Sequence, residues 1–567
     1  MKRLTSNIYG IAALFLLLVL SSCKKDFLDR TPGVDLDEEK VFSDGALAEQ
    51  YADNAYNFLI DEYARFNAHR GTTSQASDEA VSGNTDISVR TLNQGLFHDH
   101  YERGGASLND IGDVWERAYG GIRITNTVLA RMNTIPWSNA TQTPASIEAQ
   151  MRFIRAFLYF ELIKRFGGVP IVDKPASIFD DVDIPRNTYQ ECVDFIISDL
   201  DKARELGIPE EYNASNYGRP TVGAVRALRS RVLLYAASPL NNPTNDKTKW
   251  KLAADAADSV ISRNNYSLQP SYSDIMNVAQ SPEYIMIKIR GPRAIDGFLL
   301  DFVMSPGSGG AQGSMNPTQN HVDMYEMKNG LPITDPNSGY DPQNPYKDRD
   351  PRLEYNILYN DASWQGRKMG MWSQGTGETR TYGADFRPNN IIYSATRYYC
   401  RKMWPEVYVR NTTQRALFNF IFFRYAEILL NYAEALNEAS DNPDDRTLAI
   451  GKVNEIRARI DVNMPPLSEN LNQDQLREAI RHERAIELAF EDHRWYDLIR
   501  WKIAKEVITK PMKGMDVVKN ADGTFTYNVV TLPVNYQKKF EDHMYLYPIP
   551  RNEIFKSKGV LTQNPNW

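Results

Sequence analysis

Glu483, Glu487 and Glu491 recur at every fourth residue within RHERAIELAFEDHRWYDLIRW (481–501). On a helix this spacing lines three carboxylates along one face, where like charges four residues apart repel by roughly a few tenths of a kcal/mol. A helix carrying such a row either holds a cation or presses against neighbours that supply arginine. Arg484, Arg494, Asp497 and Arg500 interleave with the row. The reading is therefore the ionic seam of a helical array, with arginines from adjacent helices neutralising the face.

Helical periodicity elsewhere agrees with an array. A helical region is expected around Gly45 to Arg65. Between Ile111 and Met132, the residues Trp115, Tyr119, Ile122 and Asn126 share one stripe. Residues 146–166 bring Phe153, Phe157 and Phe160 to one face, and Gly167-Gly168 ends that helix. Thr188 with Glu191 three residues on forms a capping box, followed by apolar Val193, Ile196, Ile197, Leu200 and Ala203. Further helices are expected from Thr221 to Ala237, stopped by Pro239, and from Trp250 to Ile261. The pattern returns at Asn419 to Ala439, Leu448 to Ile460, Gln473 to Phe490 and Arg494 to Ile508.

The middle is different. Residues 264–415 are rich in Gly, Pro, Asn, Asp and Tyr, with short strand-like runs at Glu283 to Arg290 and Arg397 to Met403. Residues 70–110 read as another long loop region, and such loops in compact proteins are often functional. The fold expected is mostly α: a tetratricopeptide-like array of helix pairs with a loop-rich middle insert carrying short strands.

The first residues are a targeting signal. Lys2 and Arg3 precede Ile11 to Leu20, an unbroken apolar run of ten residues. As a helix the run reaches about 15 Å, half the roughly 30 Å of a bilayer core, so it suits a signal peptide and not a span. Leu20-Ser21-Ser22-Cys23 then resembles a bacterial lipobox. Residues 1–22 are expected to be removed and Cys23 to carry the lipid; its acyl chains would bury methylenes at about 0.8 kcal/mol each, a stable anchor. Residues 23–567 form one domain in this reading, with an N-terminal helical half (23–263), the insert (264–415) and a C-terminal helical half (416–567). The net charge of −7, which becomes −9 when Lys2 and Arg3 leave, offers too little basic surplus for a nucleic-acid binder. Cys192 and Cys400 permit a disulfide in an exported protein, though buried thiols are the simpler reading.

No catalytic signature stands out: there is no H-E-x-x-H, no G-x-S-x-G and no Walker loop. The run Gly307-Ser308-Gly309-Gly310-Ala311-Gln312-Gly313 lacks dinucleotide-fingerprint spacing and reads as a flexible loop. His98-x-His100 has no cluster of further ligands at metal-site spacing, so no metal and no cofactor are expected. Aromatic residues in the loops remain. Trp364, Trp372, Tyr382, Phe386, Phe97 and Tyr101 stand among Gly, Ser, Thr, Asn and Arg. An aromatic plate covers the C–H face of a sugar while polar side chains satisfy its hydroxyl rim. The ligand-binding candidates are Trp372, Trp364, Tyr382, Phe97, Tyr101, Arg70 and Asp78.

Blocks along nearly the whole chain resemble one family. They are Phe27-Leu28-Asp29-Arg30-Thr31-Pro32 after the lipobox, the stripe Trp115–Asn126, RFIRAFLYFELIKRFGGVPI (152–171) and MYEMKNGLPITDPNSGYDPQNPYKDRDPRL (324–353). FRYAEILLNYAEALNE (423–438), VNEIRARI (453–460), HERAIELAFEDHRWYDLIRW (482–501), YPIPRNEI (547–554) and LTQNPNW (561–567) follow. The sequence resembles the SusD/RagB family of outer-membrane lipoproteins of Bacteroidota. The resemblance implies a helical fold on tetratricopeptide-like pairs with a loop-rich ligand face, and no catalysis. It implies a lipoprotein facing the cell exterior that hands oligosaccharide to a SusC-like TonB-dependent transporter. Peptide capture of the RagB kind and a glycoside hydrolase are the alternatives.

Overall fold

Local signals start and stop the helices where the physics asks for it. The computed structural model of the chain describes residues 38–61, 72–83, 88–96, 98–99, 110–175, 183–289, 305–309, 313–407, 417 and 419–567. Helix α1 (Gly45–Asp53) is capped by Asp44, whose carboxylate accepts the Leu47 N–H at 3.0 Å. α2 (Asp110–Arg131) and α3 (Pro144–Phe166) follow. α3 has Pro144 in its first turn, where a missing N–H costs nothing, and ends on Gly167 at φ +73°. α4 (Tyr189–Glu205) opens with the Thr188–Glu191 capping box. α5 (Val222–Ala237) and α6 (Lys247–Ile261) close the first half of the array, and α7 (Tyr425–Ala439), α8 (Pro443–Arg457), α9 (Gln473–Glu487) and α10 (Arg494–Arg500) belong to the second.

Each helix from α2 to α6 packs on the next, and α6 packs on α7 across the whole middle insert. α7 then contacts both α8 and α9. The array is therefore continuous in space although interrupted in sequence, which is the tetratricopeptide-like architecture. α3 runs through its interior: Phe153, Phe157 and Phe160 are buried, and Phe157 meets Phe422 edge-on at 5.3 Å. No helix among the described residues is long and apolar enough to cross a membrane.

The insert carries short strands. Tyr284–Lys288 pairs antiparallel with Phe420–Arg424, bringing the two ends of the insert together. Ala80–Ser82 pairs with Met315–Pro317. A four-stranded sheet joins the hairpin Lys513–Lys519/Phe525–Thr531 to Ser373–Gln374 and Thr381–Tyr382.

Several expectations shift. The helix expected from Asn419 opens only at Tyr425, because Phe420–Arg424 pairs as a strand, and the helix expected from Leu448 to Ile460 runs instead from Pro443 to Arg457. The helix expected to reach Phe490 stops at Glu487, and the one expected from Arg494 to Ile508 breaks after Arg500, where Lys502 adopts φ +61° before Ala504–Ile508. The stretch expected as part of a loop at 70–110 is interior at residues 72–83. Cys192 and Cys400 are separate, buried free thiols.

Candidate functional site

The carboxylate row meets cations from three directions. Glu483 accepts from Arg352 at 2.5 Å and from Arg457 at 3.1 Å. Glu487 accepts from Arg459 at 2.7 Å, Arg424 at 2.9 Å and Arg352 at 3.1 Å. Glu491 accepts from Lys402 at 2.6 Å and Arg424 at 2.8 Å. Glu283 completes the seam against Arg424 and Arg459, and Asp350 against Arg352. Burial pushes the Glu487 pKa up, and the guanidinium groups of Arg459, Arg424 and Arg352 more than reverse this, holding it well below the usual carboxylate range. Arg352 and Lys402 come from the insert, Arg424 from its closing strand, and Arg457 and Arg459 from the end of α8 and just beyond. The seam thus bolts the insert to the helical array.

Glu491 lies beyond the helix, in a turn where Phe490 and Asp492 both take left-handed backbone (φ +61° and +62°). Two contacts from residues 72–83 hold this turn: Glu79 accepts the Phe490 N–H at 3.0 Å, and the Thr73 hydroxyl donates to Asp492. The turn brings Glu491 back beside Glu487, so that both share Arg424. The same segment is clamped from the other side by Lys538, whose ammonium donates to the carbonyls of Gln75, Ser77 and Ala80. Asp78 belongs to this clamp. It is 5% exposed and accepts two bonds from Arg494 at 2.9 Å. Burial raises its pKa, and Arg494 outweighs that. A carboxylate buried and neutralised in this way anchors the fold and presents nothing to a ligand.

The insert places its aromatic residues unevenly. Trp364 is 1% exposed, edge-on to Trp404 at 5.1 Å with Arg401 over its ring. No face is left for a sugar, so Trp364 is a packing residue in this structure. Trp372 is half-buried just before the strand Ser373–Gln374. The Lys519 ammonium lies 4.7 Å from its ring centroid. Tyr382 pairs with Ser373 across the hairpin. Because successive side chains alternate between faces, Tyr382 points to the side opposite Trp372. There it meets Phe386 at 5.8 Å, and Phe386 carries the Arg397 guanidinium on its ring. Trp372 and Tyr382 therefore do not form one plate.

The companions of Trp372 are residues that sequence reasoning missed. Lys519 pairs with Phe525 and Val517 with Tyr527, so both rings share the face of Lys519. Tyr527 meets Tyr346 edge-on at 5.6 Å, and Tyr346 stacks on Tyr359 at 4.0 Å. Asn360 joins this band to the hairpin, donating to the Tyr527 hydroxyl at 3.3 Å and accepting the Met371 N–H at 3.0 Å. The signal available was the alternation in KGMDVVKNADGTFTYNVVT (513–531) around Asp522-Gly523, where Gly523 takes φ +90°.

The hairpin is fixed from beneath. Asp385 accepts two bonds from Arg367 at 2.7 Å, one from Ser305 at 2.5 Å and the Gly370 N–H at 2.8 Å. Gly313, at the end of the glycine-rich run, serves this packing: a Cβ there would stand 2.2 Å from the Tyr399 ring, and Tyr399 donates to the Asp385 carbonyl at 2.8 Å. Cys23, Arg70, Phe97, His100 and Tyr101 lie outside the described residues. The described chain stops before Arg70 at Asp61, whose carboxylate pairs with Lys288 at 2.7 Å, and Lys288 pairs with Phe420 in the strand ladder. Among the described residues no cluster of three or more His, Cys, Asp or Glu is arranged to hold a metal.

Residues 260–567 match the model of the SusD family. Residues 26–234 match that of a SusD-like family described as starch-binding and associating with the outer membrane. SusD-like protein P2 of Formosa agariphila is 26% identical over 572 aligned residues, covering 99% of both chains. A SusD-like protein of Bacteroides fragilis superposes with a TM-score of 0.75 at 28% identity, over 95% of this chain and 100% of that one. A SusD-like carbohydrate binding protein of the same species has a TM-score of 0.72 at 23% identity, over 92% and 99%.

Proposed function

The chain belongs to the SusD family, and on that footing we propose that it is a non-catalytic oligosaccharide-binding lipoprotein of the outer membrane. Cys23 carries the lipid, and captured glycan passes to a SusC-like TonB-dependent transporter. The observation that supports this reading best is Trp372. Its ring is half-buried on a hairpin that Asp385 and Arg367 hold rigidly, and its indole N–H bonds to none of the described residues. A flat ring fixed in advance, with a donor to spare, binds a sugar without ordering a side chain first. Phe525, Tyr527 and Tyr346 extend the aromatic band beside it. Tyr382, Phe97, Tyr101 and Arg70 stay as further proposed contacts, Tyr382 on the opposite face of the sheet. The helical array and its ionic seam serve as the mount from which the ligand face is presented to the transporter.

Calorimetric titration of the mature chain with an oligosaccharide panel tests the reading. Binding is expected without release of reducing ends, and Trp372→Ala should weaken it by about 1–4 kcal/mol without unfolding the protein. Release of reducing ends makes the protein a glycosidase, and unchanged affinity in Trp372→Ala removes that residue from the site.

A further inference from the structure

A groove of about 520 Å³ opens between the loop joining α4 to α5 and the first strand of the insert. It shares no residue with the Trp372 band. Its floor is the strand Tyr284–Lys288, which among the described residues is paired with another strand on one edge only. The other edge is closed at one end by Ser267, whose N–H donates to the Pro282 carbonyl at 3.1 Å, and at the other by Gly218, packed beside Ile287 and Ile289. Between those ends the strand backbone lines the groove and offers donors and acceptors that its ladder does not use. Tyr212, Tyr217 and Tyr266 stand half-buried along the walls. Gly218 takes φ +97°, a left-handed turn that sets Tyr217 on the rim.

The charges decide the class of ligand. Arg219 is consumed by Asp53, to which it donates at 2.6 and 2.9 Å. Glu210 is paired with Arg263. Glu211 lines the groove with no ion pair among the described residues, so the uncompensated charge is negative. Rings that cover C–H faces, backbone groups that pair with hydroxyls and a lone carboxylate suit a neutral sugar and disfavour a uronate or a sulfated one.

We propose that this groove is a second saccharide site, selective for uncharged oligosaccharides, a proposal that rests on the saccharide-binding reading above. The test is titration of the mature chain with neutral gluco-, xylo- and manno-oligosaccharides and with uronate-bearing oligosaccharides. A neutral ligand is expected to fill two sites, with Tyr217→Ala weakening one by about tenfold or more and Trp372→Ala weakening the other. Glu211→Gln, an exposed position, should narrow the gap between neutral and uronate-bearing ligands severalfold. A single site lost with Trp372→Ala and untouched by both groove variants overturns the groove and leaves the proposed function standing. Preference of the groove for uronates, or for peptides, overturns the ligand class. No saccharide bound by the wild-type chain overturns both readings together.

Discussion

Replacing Glu487 by Gln removes one charge from the centre of the seam and almost nothing else. Gln keeps the size and one carbonyl acceptor. The carboxylate it replaces is fully buried and accepts from Arg459, Arg424 and Arg352 at 2.7–3.1 Å. Breaking a buried ion pair by removing one partner costs about 3–5 kcal/mol, because the other charge stays behind in a low-dielectric site. Here each guanidinium keeps a second carboxylate: Arg424 keeps Glu283 and Glu491, Arg459 keeps Glu283, and Arg352 keeps Asp350 and Glu483. The expected loss is therefore at the lower end, about 3 kcal/mol. The urea slope of a chain this long is roughly twice the ~3 kcal/mol/M upper value for small proteins, so the unfolding midpoint falls by about 0.5 M. Urea titration followed by both circular dichroism and tryptophan fluorescence reads this directly. Glu205→Gln, at the exposed Lys202–Glu205 pair, is the control and should not move the midpoint measurably. The sign with pH is also set. Glu487 has its folded pKa below its unfolded one, so its contribution is present above the unfolded value and is lost as pH falls through the carboxylate range. A Glu487→Gln protein that unfolds with the wild type refutes the seam as the joint between insert and array.

Other outcomes follow from single contacts. Burial raises the pKa of Glu79 to about 7, so the wild type is expected to lose stability as pH rises from about 4.5 through 7; Glu79→Gln should remove roughly 3 kcal/mol of that slope, and parallel stability curves at pH 5 and 8 would contradict it. Gly313→Ala drives a methyl into the Tyr399 ring, which cannot swing aside while it is bonded to the Asp385 carbonyl and the Ser394 N–H, and should cost about 1–3 kcal/mol by thermal melt. Cys23→Ser is expected to shift the protein from the membrane pellet to the soluble fraction; sedimentation with membranes after a salt wash would remove the lipid anchor.

What could be read in advance was what neighbours in sequence decide. The capping box at Thr188, the stop at Gly167 and the aromatic stripe of α3 depend on residues within a turn of one another, and they stand where the pattern put them. The seam was legible for a related reason: three carboxylates on one face have few solutions, although the identity of the partners, Arg352, Arg424, Arg457, Arg459 and Lys402, was not. The failures are all non-local. Residues 72–83 look like a surface loop because they are polar, yet they are buried because Lys538, Arg494 and the turn at Phe490 satisfy those polar groups from more than 400 residues away. Glu491 left its helix because the same distant segment holds a left-handed turn.

Two of the insert's tryptophans put the point most sharply for function. Trp364 and Trp372 are eight residues apart in equally polar, glycine-containing surroundings. One is enclosed because Trp404 covers it, and the other stays half-open because Ser373 pairs with Val518 in a strand from the far end of the chain. A register shift of one residue in that pairing would exchange the faces of Trp372 and Tyr382 and leave every helix untouched. The ligand face can therefore change its aromatic pattern through short hairpins alone, while the seam keeps the mount constant. On the proposed function, differences in glycan preference between this chain and its relatives are expected in the segments around residues 360–386 and 513–531, in the groove loop at 210–219 and in the stretches that carry Arg70, Phe97 and Tyr101, rather than in the array.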